Sequence, residues 1–280
     1  MRHTRPSVSA SILAAVRNRN KRPMGVTRIV RNDLLIASYN VHKCVGIDKK
    51  FDPDRIAHVI GEIGADVIAI QEADKRFGER SGLLDLARLH RENSLVPVPV
   101  TSLYPKGHGW HGNLLLFREG VVRRVQQLGL PGLEPRGALV VDIDLEAGPL
   151  RIIAAHLGLL RHSRQQQSEA IVRAVQSDPG RPTLLMGDLN EWRVGKGSSL
   201  HFLHPVFDPA KNAVPSFPSR FPVLALDRVL GHPHNLVTAI EVHDTPLARV
   251  ASDHLPIKAH VDLKSALAES EVRDKASLAR

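Results

Sequence analysis

The sequence predicts an α/β sandwich: two packed, mixed and largely antiparallel sheets with helices on the outside. Three observations lead there. From Asp33 onward short apolar runs alternate with helical patterns and turn signals. Several neighbouring runs are joined by links too short to hold a crossover helix, which disfavours a doubly wound parallel fold. No repeat with a period of about 20–50 residues is present, which excludes a solenoid.

Taken in order, Leu34 to Val41 reads as a strand. Asp54 to Ile63 reads as an amphipathic helix with apolar positions at Ile56, Val59, Ile60 and Ile63, opened by Pro53 and closed by Gly64. Asp66 to Gln71 follows as a strongly apolar strand. Further strands are expected at 95–100, 113–117, 121–128, 138–145 and 150–157, a helix over about 162–177, and strands at 183–187, 224–230, 236–242 and 256–262. The links between 113–117 and 121–128, and between 138–145 and 150–157, imply antiparallel hairpins, the second turning at Gly148-Pro149.

The folded body is expected to span 33–263, flanked by a basic, disordered arm at 1–32 and a charged, Ala-rich tail at 264–280. Of the formal charge of +9, eight cations lie within residues 1–32, where no acid occurs, so the remainder is close to neutral. Such an arm suits polyanions or an anionic membrane surface, and its Arg-rich, acid-free composition also matches an organelle transit peptide. The body itself is not a basic funnel for duplex nucleic acid. One cysteine, Cys44, excludes an intrachain disulfide and any multi-cysteine metal site. The expected location is the cytoplasm, with the inner-membrane surface within reach of the arm. No stable protein partner is implied.

Chemistry concentrates where apolar runs end. Glu72 closes Val67-Ile68-Ala69-Ile70, and Asn40, Asp188, Asn190 and Asp253 hold equivalent positions. Charged and amide groups at strand tips cost free energy unless something binds them, and a cluster of carboxylates repels itself without a cation. An oxygen-rich set of this kind suits Mg²⁺ or Mn²⁺ rather than a soft metal. His254 adds a titratable group beside it, with Asp227 placed to orient the imidazole. His156 terminates the interior run Ile152 to Ala155, and most of the other histidines read as structural or solvent-exposed. Arg136, Arg161 and Arg164 are candidates for either phosphate contacts or surface salt bridges. Trp110, Trp192 and Phe221 flank the predicted site loops, where they suit packing or contact with a base, a sugar or an acyl chain.

The segments Tyr39-Asn40-Val41-His42, Ile70-Gln71-Glu72, Gly112-Asn113, Ala155-His156-Leu157, Gly187-Asp188-Leu189-Asn190, Leu226-Asp227-Arg228 and Ser252-Asp253-His254, in that order, resemble the endonuclease/exonuclease/phosphatase (DNase I-like) superfamily. The resemblance runs from about Leu34 to Asp262. It implies a four-layered α/β/β/α sandwich and a metal-dependent hydrolase of phosphoesters. Glu72 is implied as principal metal ligand with Asn40 and Asp253 close to the ion. Asp188 and Asn190 would position and activate water, His254 paired with Asp227 would face the phosphate, His156 would steady the phosphoryl oxygens or leaving group, and Asn113 would contact substrate.

Some nucleases of the group carry an acid where this chain has His42, and Pro215 to Pro222 looks more like bacterial phosphatase and phosphodiesterase members. A phosphoester substrate is therefore expected, whether nucleic acid, lipid or small molecule. An endo- or exonuclease is the alternative within the superfamily. A non-catalytic polyanion-binding module is the alternative outside enzymology.

Overall fold

A computed structural model describes residues 34–75, 78–101, 106–209 and 213–268. The segment 1–32 and the tail beyond residue 268 lie outside them, so the arm and most of the tail carry no structural account.

Among the described residues eleven strands form two sheets. The first has the order β10-β11-β1-β2-β4-β3, built from β1 (Leu34–Asn40), β2 (Val67–Gln71), β3 (Val96–Pro97), β4 (Leu114–Phe117), β10 (Val237–Val242) and β11 (Ile257–Val261). The second has the order β5-β6-β7-β8-β9, built from β5 (Val121–Leu130), β6 (Arg136–Leu145), β7 (Gly148–His156), β8 (Thr183–Asp188) and β9 (Asp227–His232). Among the described strand pairs only β1–β2 and β7–β8 run parallel.

Side-chain alternation along the strands makes four layers. In β1, Ile36 faces the second sheet and joins Val67, Leu115, Leu139, Val141, Ile152, Leu184 and Met186 in the inter-sheet core. Ala37 and Tyr39 face outward and pack with Ile56, Val59, Ile60 and Ile63 of helix α1 (Pro53–Ile63), Leu89 of α2 (Leu86–Asn93), and Ala248 and Ala251 of α4 (Ala248–Ala251). On the far side, Ile153, Ala155 and Leu185 pack with Ile171, Val172 and Val175 of α3 (Arg161–Gln176). Helix α1 starts and stops where its sequence says: the Asp52 carboxylate accepts from Arg55 N at 2.9 Å, a cap that contributes about 0.5–2 kcal/mol, Pro53 occupies the first turn, and Gly64 closes the helix at φ 65°.

Three expectations need correction. The β6–β7 pair is the hairpin expected, but β4 and β5 do not pair. β4 belongs to the first sheet beside β2, β5 to the second beside β6, and residues 118–120 carry the chain between them. A short link excludes a crossover helix but not an arch between sheets, and Gly120 at φ 144° supplies the turn. The strand expected at 95–100 contracts to Val96–Pro97, and the one at 224–230 shifts to Asp227–His232. Helix α2 had no clear periodic signal, because it is short and buries only Leu89. At the other end, residues 263–268 are helical, capped by the Asp262 carboxylate on Ser265 N at 3.0 Å, with Leu263 and Ala266 buried in the inter-sheet core.

Candidate active site

Strand register gathers the singled-out groups on one rim. Asn40 pairs with Gln71, which puts Glu72 beside the end of β1. His156 pairs with Asp188 across the parallel β7–β8 ladder, and Asp188 pairs with Asp227 across β8–β9. The starts of β4, β6 and β11 reach the same edge, because Ile70 lies opposite Leu114, Ala155 opposite Ala138, and Ser38 opposite Ile257. Close approach of β7 and β8 explains the glycine before Asp188: a Cβ on Gly187, at φ 144°, would lie 1.8 Å from Ala155 O. Left-handed backbone at a non-glycine residue costs about 1–3 kcal/mol, and His42, Lys43, Cys44, Glu72 and Asn190 all adopt it on the loops of this rim. Strain is concentrated where these groups are aimed.

Asp188, 2 % exposed, is the hub. Its Oδ2 accepts from Asn40 Nδ2 at 3.0 Å and faces His156 Nε2 at 3.5 Å and His254 Nε2 at 3.7 Å. Its Oδ1 accepts from Asn190 N at 2.9 Å, an Asx turn that fixes the Asn190 side chain beside it.

The two imidazoles differ in charge. Burial lowers the His156 pKa to about 4 despite the neighbouring Asp188, and Arg136 adds to the shift. Arg136 Nη1 donates to His156 Nδ1 at 2.9 Å; a guanidinium only donates, so the proton of the neutral ring sits on Nε2, facing Asp188. Burial would lower His254 as well, but the Asp227 and Asp188 carboxylates outweigh it and raise its pKa to about 10. Its Nδ1 donates to Asp227 Oδ2 at 2.8 Å, and Ser216 Oγ donates to the same oxygen. One carboxylate thus faces a neutral imidazole and a cationic one, the pattern by which a site separates proton donors from other roles.

The oxygens of Glu72, Asn40 and Asp253 suit a hard cation. Burial alone would raise the Glu72 carboxyl, but His156, Lys43 and His42 hold it below the usual range. The His156 contribution needs a protonated ring, so at neutral pH the Lys43 ammonium, bonded to Glu72 Oε2, is the operative partner. Ser252 Oγ donates to Asn40 O at 2.7 Å and draws Asp253 to the end of β1. Asp188, Asp227 and His254 also offer ligand atoms within 4.8 Å of one another. His254 Nδ1 and the Asp227 oxygen already bond to each other, however, so this trio handles protons and the Glu72 side remains the better seat for an ion. A cleft lined by Lys43, Glu72, Asp74, Arg80, His111, Arg136 and His156 opens beside that seat.

The structure brings together Asn40, Glu72, Asp253, Asp188, Asn190, Asp227, His254, His156 and Arg136. Two other candidates are turned away. Asn113 is fully buried and its amide donates to Trp110 O at 3.2 Å and Gly137 O at 2.9 Å, tying the 110–113 turn to β6. Arg164, 4 % exposed, is neither a surface salt bridge nor directed at the cluster: it bonds to Ser199 Oγ, to the carbonyls of Gly158 and Leu159, and to Glu191 Oε2 at 3.2 Å. That network braces the loop carrying Asn190, with Arg228 Nη2 donating to Glu191 O at 3.2 Å. Lys43, Ser216 and Glu191 were not singled out from sequence. Lys43 directly follows Tyr39-Asn40-Val41-His42, the one signal available for it.

Residues 37–254 match the model of the Endonuclease/Exonuclease/phosphatase family. The protein YbhP of Escherichia coli (strain K12) is 26 % identical over 254 residues, covering 81 % of this chain and 96 % of YbhP. Among solved structures, an endonuclease/exonuclease/phosphatase from Beutenbergia cavernae aligns with a TM-score of 0.61 at 23 % identity over 83 % of this chain and 72 % of that one. One from Bacteroides vulgatus aligns with a TM-score of 0.63 at 18 % identity over 82 % and 99 %. The sheets with flanking helices, the strand-end groups and a match that contains every one of them from Asn40 to His254 place this chain in the Endonuclease/Exonuclease/phosphatase family, whose members are in general hydrolases of phosphoester bonds.

Proposed function

We propose that the protein is a divalent-metal-dependent phosphoesterase that hydrolyses a phosphodiester or phosphomonoester by direct attack of water. The observation that carries this reading is the meeting of two buried imidazoles, His156 and His254, on one buried carboxylate, Asp188. Asp188 orients the attacking water and draws its proton. Asn190, whose Nδ2 is held by Leu157 O at 2.9 Å, offers its amide oxygen to the same water. His254, cationic and anchored by Asp227, donates to the phosphoryl group as negative charge builds on it. His156 donates a hydrogen bond from its Nε2–H to a phosphoryl or leaving oxygen and keeps that proton, with Arg136 holding the tautomer. Mg²⁺ or Mn²⁺ at Glu72, Asn40 and Asp253 would supply charge neutralisation at the phosphoryl and leaving oxygens when bound. No covalent enzyme intermediate is needed. The near-neutral body and the few aromatic residues favour a substrate other than duplex nucleic acid, and the basic segment 1–32 adds affinity for polyanions.

The test is a metal-supplemented panel of supercoiled and single-stranded DNA, RNA, phospholipid, and bis- and mono-nitrophenyl phosphate. No turnover of any phosphoester with either ion ends the proposal. Two variants probe the ion's seat directly. Glu72→Ala is expected to remove both turnover and the rise in melting temperature on adding Mn²⁺, with the circular dichroism spectrum kept, because Glu72 lies beyond the end of β2 rather than in the core. Lys43→Met frees the Glu72 oxygens of a competing ammonium, so Mn²⁺ binding should tighten about tenfold, ~1.4 kcal/mol, in a calorimetric titration. Unchanged affinity would mean that ammonium and metal use different oxygens.

A further inference from the structure

Four large aliphatic side chains stand in solvent on the loops framing the centre: Leu133 is 85 % exposed, Val194 70 %, Leu159 64 % and Leu160 48 %. Single exposed leucines are ordinary, so their position decides whether they matter. Leu133 tips the β5–β6 hairpin, whose last pair is Leu130 with Arg136. Leu159 and Leu160 follow His156 off the end of β7, and Val194 follows Asn190 off β8. All three loops therefore leave the rim that holds Asp188.

They are also bound to one another. Leu159 N donates to Glu134 Oε1 at 2.6 Å, joining the hairpin tip to the β7 loop. Arg164 joins the carbonyls of Gly158 and Leu159 to Glu191, at the root of the Val194 loop. The aliphatic tips are thus held in fixed relation to His156 and Asn190.

Exposed charge around them has one sign. Segments 131–135, 157–164 and 191–198 contain Arg161, Arg164, Arg193 and Lys196 against Glu134 and Glu191, and the fully buried Glu191 pairs with Arg164 at 3.2 Å and with Arg193 at 3.4 Å. Glu134 is turned inward, bonded to Arg136 at 2.8 Å with its side chain 16 % exposed, whereas Arg161 and Lys196 are exposed. Trp192, half-buried, carries the Arg193 guanidinium over its ring at 4.8 Å. Aliphatic tips, an indole and the exposed cations Arg161 and Lys196 form the composition that settles into an anionic bilayer interface, with apolar groups at the acyl boundary and cations among headgroup phosphates. Four separated side chains cover far less than the roughly 1,200 Å² of a specific protein interface, which favours a lipid surface over a second protein.

We propose that this rim docks on an anionic lipid surface and that the substrate phosphate is presented to Asp188 from the headgroup layer. The substrate half of the inference rests on the phosphoesterase reading; the docking half does not. The test sediments the full chain with vesicles of pure phosphatidylcholine and of an equimolar phosphatidylcholine–phosphatidylglycerol mixture, beside hydrolysis of water-soluble bis(nitrophenyl) phosphate. Wild-type protein should pellet with the anionic vesicles only. A Leu159→Glu, Val194→Glu double variant, altered solely at exposed positions, should bind them at least about tenfold more weakly with hydrolysis of the soluble ester unchanged. Wild-type protein that stays in the supernatant overturns the proposal. So does a double variant that pellets like wild type, which would assign the binding to the basic segment 1–32, or a wild-type dimer that the double variant dissociates, which would assign the apolar tips to self-association. Vesicle binding without hydrolysis of any phosphoester would leave the docking surface standing and remove the catalytic reading.

Discussion

Asp188→Asn is expected to lower kcat by about 10³-fold or more, ~4 kcal/mol in the barrier, while the sheets persist. Every approach to Asp188 is made by a donor: Asn40 Nδ2, Asn190 N and the Nε2 atoms of both histidines. The substitution keeps the shape but replaces one acceptor with an NH₂ group, which no longer takes a proton from water and meets Asn40 or the imidazoles donor to donor. An unsatisfied buried donor costs about 1–3 kcal/mol, so the melting temperature should fall by a few degrees without loss of cooperativity. Steady-state kinetics on the best substrate of the panel, beside a thermal melt, separates the two effects. Near-wild-type turnover would remove Asp188 from the role of water activator.

His254→Ala should cost about 10²–10⁴-fold in kcat, again with the fold retained, and its partner Asp227 makes the origin of the loss testable. Because Asp227 and Asp188 hold the ring protonated up to about pH 10 in the folded chain, the wild-type rate should carry an alkaline limb, as the imidazolium is lost. Asp227→Asn removes the stronger of those carboxylates and should bring the alkaline limb toward neutrality. Stability carries the same signature. The folded pKa lies above the unfolded value, near 6.5 for histidine, so the stabilisation by this pair is complete below about pH 6.5 and is lost as pH rises toward about 10. Melting temperatures of wild type and His254→Gln measured across that range should converge at the alkaline end. A rate profile unchanged by Asp227→Asn would show that His254 acts without its proton.

Much of this centre was legible because strand tips are conspicuous. Polar residues that end apolar runs, such as Glu72 after Ile70-Gln71 or His156 after Ala154-Ala155, have no reason to stand there unless they converge, and register brings them to one edge. The unread parts depend on three-dimensional relations that spacing does not encode. Lys43 reaches Glu72 because His42, Lys43 and Cys44 turn through left-handed backbone, a conformation that no glycine or asparagine announces. Ser216 lies in a Pro-rich stretch and meets Asp227 only once the chain folds back. Arg164 looks like a solvated charge on a helix, yet its partner Glu191, 27 residues later, is fully buried with it. The β4–β5 link failed for a simpler reason: its length is the same whether the chain reverses within one sheet or steps to the other.

Asn40 belongs to one sheet and Asp188 to the other, and the 3.0 Å bond between their side chains spans the seam. Half of the reacting constellation therefore rides on each slab, and its alignment works as a vernier for how the slabs are stacked. A sideways slip too small to register as unfolding would open that bond and part Asp188 from the Glu72 side of the rim. Turnover should consequently fade on warming before any spectroscopic sign of melting.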